Sequence, residues 1–274
     1  WRMKKKQLIL IGVGVLTVAV LYLLPKVVVD NEATGAKMES EATASSSISE
    51  SHTNELSAKN RIQANQLIAT FQTAPILEEK VTAAQVLAGI YKEEGIFDSA
   101  AFYWSEASTL LPSDLFIAEE AGKANYDAFS FALDKNKVEA LADKTRSFLS
   151  RVLEKDPTRL DLKSKIAMTY VSSSNPMQGI TLLREILEED PKNEEGLFNM
   201  GVLSMQSGQY DRAIGRFEEL VKAHPQNIQG QFYLGVSYFE SKEKNKAKAQ
   251  FELVKKMTQD PMILESIQGY LDQL

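Results

Sequence analysis

The sequence predicts an all-α fold: a superhelical solenoid of antiparallel helix pairs, preceded by one N-terminal transmembrane helix. The first observation is a period of 34 residues, which separates Pro157 from Pro191 and Pro191 from Pro225. The second is that small residues recur at the same interval, as Gly201 and Gly235 do. Such a period indicates stacked helical repeats, because a single helix pair cannot bury its own apolar face.

The clearest repeat is residues 194–225, and its pattern follows from the packing of two helices. Gly201 and Ala213 fall where the helices approach closely, so small side chains are needed there. Gly208 lies between the two helical runs, where a turn requires positive φ. Pro225 cannot continue a helix and therefore closes the second one.

On these positions the repeat resembles the tetratricopeptide repeat (TPR) family, which also places an aromatic residue at the twenty-fourth position, here Phe217. The resemblance extends over residues 76–261 as an array of about five units. The second unit, residues 115–157, is irregular because 45 residues, not 34, separate Pro112 from Pro157, which predicts one pair of longer helices over about 115–134 and 136–155. The other positions that carry the resemblance are Ala88, Ala100, Pro191, Pro225, Gly235, Ala247 and Phe251.

An apolar run precedes the repeats and predicts a membrane anchor over residues 7–25. Seventeen residues, 8–24, would form a helix of about 26 Å, close to the thickness of a bilayer core. Three lysines stand directly before it. By the positive-inside rule they place the stub, residues 1–6, in the cytoplasm and the repeats across a bacterial inner membrane, in the periplasm. The alternative is a cleaved signal peptide, whose apolar core is usually shorter.

Two further segments flank the repeats. Residues 26–53 lack aromatic side chains and are rich in Ser, Thr, Glu and Ala, which predicts a flexible tether. Apolar residues at helical spacing over 54–75 predict a leading helix that covers the first repeat or self-associates. An amphipathic pattern over 262–274 predicts a helix that caps the far end of the array.

Composition argues against several classes of function. Residues 31–274 hold 26 Lys and Arg against 36 Asp and Glu, which disfavours a nucleic-acid surface. The sequence has no cysteine, so disulfides and thiolate metal sites are excluded. His52 and His224 have no ligand-spaced partner, and no nucleotide-binding or hydrolase motif occurs. We therefore expect neither an enzyme nor a bound cofactor or metal.

The TPR resemblance implies a binding groove lined by the first helices of successive pairs. Its fifth, ninth and twelfth positions face that groove, and in the fourth and fifth units these are six apolar residues, here called the apolar ladder. The ladder is Phe198, Val202, Met205, Phe232, Val236 and Phe239. Met168 of the third unit extends it, so the expected ligand is an apolar or amphipathic protein segment. Alternatively, the ladder contacts the chain's own C-terminal helix or a second copy.

The expected function is therefore that of a membrane-anchored scaffold or adaptor that presents a TPR groove to partner proteins in a membrane complex. The layout is similar to that of single-anchor periplasmic TPR proteins ancillary to the Sec translocon, which implies a role in translocation, chaperoning or envelope assembly. One alternative is a protein similar to TPR import receptors, facing the cytosol. Another is a structural oligomer assembled through its own helices.

Overall fold

The computed structural model describes residues 56–274. The predicted stub, anchor and tether, residues 1–6, 7–25 and 26–53, lie outside this range. Regular structure within it consists of twelve α-helices and no strand, so the prediction of an all-α repeat solenoid is confirmed. None of these twelve helices is both long enough and apolar enough to cross a membrane.

The helices follow one another through short turns and are numbered in chain order. They are α1 (Ala58–Thr73), α2 (Leu77–Glu93), α3 (Phe97–Leu110), α4 (Leu115–Phe131), α5 (Lys135–Leu153), α6 (Leu160–Val171), α7 (Pro176–Glu189), α8 (Glu194–Gln206), α9 (Tyr210–Ala223), α10 (Ile228–Glu240), α11 (Lys244–Met257) and α12 (Pro261–Leu271). Five antiparallel pairs run from α2 to α11, with α1 packed before them and α12 after them.

Helix starts and turns repeat with the 34-residue period. Asn193 and Asn227 cap α8 and α10, because each side chain accepts a hydrogen bond from the backbone N–H three residues on, at 2.9 and 2.5 Å. Gly208 makes the turn between α8 and α9 at a φ of 68°. Lys242 occupies the same turn position one repeat later, at a φ of 62°, in a conformation that favours glycine.

Close helix packing explains the recurrent glycines. A Cβ on Gly201 would lie 2.7 Å from the ring of Phe217, and one on Gly235 would lie 2.8 Å from the ring of Phe251. Both phenylalanines are fully buried. In each pair the phenylalanine ring of the second helix therefore packs directly on the backbone of the first helix. Glycine at positions 201 and 235 makes room for that ring.

The irregular second unit consists of two long helices. α4 and α5 have 17 and 19 residues, whereas α8 and α9 have 13 and 14. Gly122 of α4 packs against Leu149 of α5, much as Gly201 packs against Phe217. The extra residues therefore lengthen both helices and leave their close approach in place.

The array curves toward its first helices. α4, α6, α8 and α10 contact one another in succession, in addition to the contacts within each pair. In the part of the chain described, the second helices make no comparable contacts with each other. The first helices therefore line the concave face, and α5, α7, α9 and α11 form the convex face.

Candidate protein-binding groove

The first half of the apolar ladder lies between helices and is only partly open to the groove. Phe198 is half-buried, with its ring edge-on to Phe217 at 6.1 Å and to Tyr233 at 5.5 Å between centroids. Val202 and Met205 are also half-buried and pack on the same core. These three residues give the middle of the concave face an apolar floor.

The second half of the ladder is covered by α12. Tyr270 lies edge-on to Phe232 at 6.1 Å and to Phe239 at 5.1 Å, and it stacks on Phe251 at 5.1 Å. Val236 is 5% exposed. This arrangement corresponds to the alternative in which the ladder contacts the chain's own C-terminal helix, although Phe232 and Phe239 remain half-buried, as Phe198 does.

Met168 lies apart from both halves. It is half-buried and packs on the core formed by Leu183 and Ile186, together with Met200 and Leu203 of α8. Its position on α6 places it on the concave side of the array, next to the apolar floor of α8.

A polar cavity occupies the concave face beside this floor. Its volume is about 370 Å³, and it is lined by α4, α6, α8 and the start of α10. The lining residues are Tyr126, Ser164, Lys165, Glu194, Glu195, Phe198, Asn199, Asn227 and Gln229. Phe198 is the one ladder residue among them.

Hydrogen bonds and an ion pair connect the helices around this cavity. Asn199 donates from Nδ2 to Ser164 Oγ at 3.0 Å, which joins α8 to α6. Lys165 Nζ lies 3.4 Å from Glu195 Oε1 and 5.5 Å from the centre of the Tyr126 ring. The cavity thus has donors, acceptors and one aromatic face within reach of a bound chain.

Tyr126 is held in its neutral form. Burial raises the pKa of its phenol to about 12, and the nearby Glu195 carboxylate acts in the same direction. At neutral pH the hydroxyl therefore remains a hydrogen-bond donor at the edge of the cavity.

The concave face becomes charged toward α2, and its charges are paired. Arg159 binds Glu119 through two hydrogen bonds of 2.9 and 2.7 Å, and Lys123 lies 2.6 Å from the same carboxylate. The hydrogen bonds from Arg159 are the largest cause of the fall in the Glu119 pKa to about 2. Further along, Lys92 pairs with Asp127 at 2.9 Å. These pairs link α2 to α4 and α4 to the start of α6.

Of the ladder residues only Phe198 lines the cavity, but Ser164 at the fifth position of the third unit and Glu195 at the second position of the fourth unit also lie at positions expected to face the groove. Glu195 and Asn199 occupy the second and sixth positions of their unit, and the sixth position was not among those assigned to the ladder. Tyr126 is the twelfth residue of α4, and the 45-residue interval left that unit without a clear register. Val81 and Leu115 are 34 residues apart. Taking Leu115 as the first position of the second unit would therefore have placed Tyr126 at the groove-facing twelfth position.

No group of three or more His, Asp or Glu side chains between residues 56 and 274 is arranged to hold a metal ion.

The fold is that of a helical-repeat solenoid. The sequence model of the tetratricopeptide repeat family matches residues 204–264. Residues 204–264 therefore carry tetratricopeptide-repeat sequence, as the residue pattern of that stretch indicated.

Solved structures agree on the fold. A tetratricopeptide repeat protein from Parabacteroides merdae is 16% identical, with a TM-score of 0.58 over 78% of this chain and 79% of that one. A thermophilic TPR protein from Thermus thermophilus is 13% identical, with a TM-score of 0.54 over 70% of this chain and 98% of that one. No curated protein sequence matches the chain. At such low identity these likenesses establish the architecture alone.

Proposed function

We propose that the chain is a membrane-anchored scaffold that holds a segment of a partner protein in the concave groove between α4 and α10. TPR folds are typically non-enzymatic modules for protein–protein interaction. One observation carries the proposal: four successive first helices place polar groups around a cavity that lies beside the apolar floor of Phe198, Val202 and Met205. Convergent polar groups beside an apolar surface are what fixes the orientation of a bound segment.

The two parts of the concave face favour an amphipathic segment. Phe198, Val202 and Met205 offer an apolar surface that α12 leaves half-exposed, and Met168 adds a side chain that adapts readily to its ligand. Toward α4, Lys165 and Asn199 offer hydrogen bonds and charge. A helix or extended strand with one apolar and one polar end would satisfy both parts.

We place this scaffold in a bacterial inner membrane, with its N-terminus in the cytoplasm and its repeats in the periplasm. The support is the apolar run over residues 8–24 and the three lysines that precede the predicted anchor. Partners of such a protein belong to a membrane complex for translocation, chaperoning or envelope assembly. A receptor-like orientation toward the cytosol is the competing arrangement.

Site-specific photocrosslinking tests the groove. A photoreactive residue at position 199 of the full chain should capture a partner in cells, whereas one at Ser147, an exposed residue of α5 on the convex face, should not. Replacing Lys165 with Ala should lower the yield at position 199 by about tenfold, since a charge-assisted contact contributes on the order of 1.5–3 kcal/mol. Capture of residues 262–274 of the same chain alone would refute the proposal.

Membrane topology is tested separately with a reporter fused to the C-terminus. An enzyme reporter that is active only in the periplasm should give full signal. Signal from a cytoplasm-specific reporter would overturn the periplasmic placement while leaving the groove proposal intact.

A further inference from the structure

The convex face ends in an unusually basic helix. α11 carries five lysines and one glutamate, although residues 56–274 as a whole are acidic. Lys248 and Lys256 are exposed and form no ion pair with any other described residue. Helical spacing places Lys256 opposite the buried Phe251 and Val254, so it points away from the array.

A second helix on the same face is acidic. α7 carries three glutamates and one arginine, and it lies two repeats before α11 with α9 between them. Glu188 and Glu189 are exposed and have no ion-pair partner within residues 56–274. Glu188 lies opposite the buried Leu183, so it also points outward.

We propose that the convex face formed by α7, α9 and α11 is a docking surface for a second copy of this chain. In this dimer the acidic α7 of each copy faces the basic α11 of the other, and the two copies of α9 meet on the two-fold axis. A closed two-fold interface requires a surface that is complementary to itself, and opposite charges placed on either side of α9 provide this.

The second helices of the pairs are suited to form the dimer interface because they lie on the convex face, and the groove lies on the concave face. The cavity is lined by α4, α6, α8 and α10, so a partner segment and a second copy can bind at once. The inference therefore does not depend on the proposed groove. The Debye length is about 8–10 Å near physiological salt and shortens as salt is added. Because the dimer contacts are between exposed charges, dimerisation should weaken as the salt concentration is raised.

A charge-swap experiment on the full chain, purified in a nonionic detergent, tests this dimer. One variant carries Glu188→Lys with Glu189→Lys, and the other carries Lys248→Glu with Lys256→Glu. Each alone places like charges across both contacts, so its dimer dissociation constant in sedimentation equilibrium should rise by about tenfold or more. An equimolar mixture of the two restores opposite charges at both contacts, and should form a heterodimer within about threefold of the unmodified affinity.

Three results would overturn the proposal. They are an unmodified chain that stays monomeric at low salt, variants that dimerise as tightly as the unmodified chain, and a mixture that remains monomeric. Circular dichroism of each variant checks folding, which these exposed substitutions should leave unchanged.

Cysteine pairing and lipid labelling distinguish a second copy from a membrane surface. The chain has no cysteine, so Glu188→Cys in one copy and Lys256→Cys in another offer the only thiols, and oxidation should join them. An environment-sensitive dye on Lys256→Cys should respond equally in neutral and anionic lipid discs. If the dye responded only in anionic discs, and the α7 substitutions did not change that response, α11 would bind a lipid surface and the dimer proposal would be refuted.

Discussion

Single positions in this chain are constrained by what lies opposite them, and Gly201 is the sharpest case. A methyl group there would lie 2.7 Å from the fully buried ring of Phe217, so the ring or one of the two helices would have to shift. We expect Gly201→Ala to lower the free energy of unfolding by about 1–3 kcal/mol, the usual cost of overpacking. Urea denaturation followed by circular dichroism measures the change.

Gly215→Ala is the matched control. Gly215 is also inside a helix, but nothing lies within 4 Å of the methyl group that the change would add. Alanine should therefore raise the free energy of unfolding by about 0.5–1 kcal/mol through helix propensity alone. Equal effects of the two substitutions would show that backbone preference, and not the Phe217 contact, sets the cost at Gly201.

The carboxylate of Glu119 should make stability depend on pH. Its folded pKa of about 2 lies below the ordinary value of 4.5, so the unfolded chain binds more protons between these values and stability falls as pH drops through that window. Glu119→Gln should cost about 1–2 kcal/mol at pH 7 by weakening the Arg159 bonds. The difference from the unmodified chain should shrink toward pH 2.

Urea midpoints measured from pH 7 to pH 2.5 test this expectation. Glu265→Gln, an exposed residue of α12, serves as the control and should leave the pH profile unchanged. A deficit for Glu119→Gln that stays constant over the whole range would contradict a role for its ionisation.

The helices and their pairing were largely predictable from the sequence, because the residues that recur every 34 positions are also those that helix packing and helix ends require. The spacing of Gly201, Phe217 and Pro225 located the helices of the fourth unit, since a small residue must face a ring and a proline must end a helix. The second unit was harder to place: its 45-residue interval predicts one pair of longer helices, as α4 and α5 are, but does not fix the register of these helices in the repeat.

The groove was less predictable than the helices, because a position number does not reveal what neighbouring helices cover. Phe232 and Phe239 are in ladder positions, yet Tyr270 packs against both. The polar cavity depends on Lys165 and Asn199, whose roles require knowing which side chains of successive helices meet. Such contacts between units are set by superhelical geometry, which a one-dimensional period does not contain.

The capping helix α12 should stabilise the end of the array through Tyr270. Its ring contacts Phe232, Phe239 and Phe251, and each aromatic pair contributes about 0.5–1.5 kcal/mol beyond burial. We expect Tyr270→Ala to lower the local free energy of opening of α10 and α11 by about 2 kcal/mol. Hydrogen exchange measures this by segment.

In a repeat array each unit contacts only its neighbours, so the effect of Tyr270→Ala should fade with distance. Protection of α2 and α3 should stay unchanged, and Glu265→Ala on the exposed side of α12 should change neither end. A uniform loss of protection in all helices would instead show that the array unfolds as one unit.

The array as a whole has an uneven core. One continuous cluster of buried residues extends from α8 to α12 and includes Leu197, Phe217, Leu234, Phe251 and Ile267. Between α2 and α7, in contrast, the buried residues form four separate small clusters. Since stability in a solenoid is a sum over units and interfaces, the two halves should differ in stability.

We therefore expect the C-terminal half to outlast the N-terminal half. In native-state hydrogen exchange at rising denaturant, the amides of α8–α11 should show the highest free energies of opening, and those of α2–α5 should open first as a separate cooperative unit. Gly235→Ala, which crowds Phe251, should narrow this difference in opening free energy by weakening the larger cluster. Gly215→Ala in the same half, with nothing near its added methyl, should instead widen the difference slightly through helix propensity. If α2–α5 proved the more protected half, the paired charges of the N-terminal concave face, and not the continuous apolar core, would be the main source of stability.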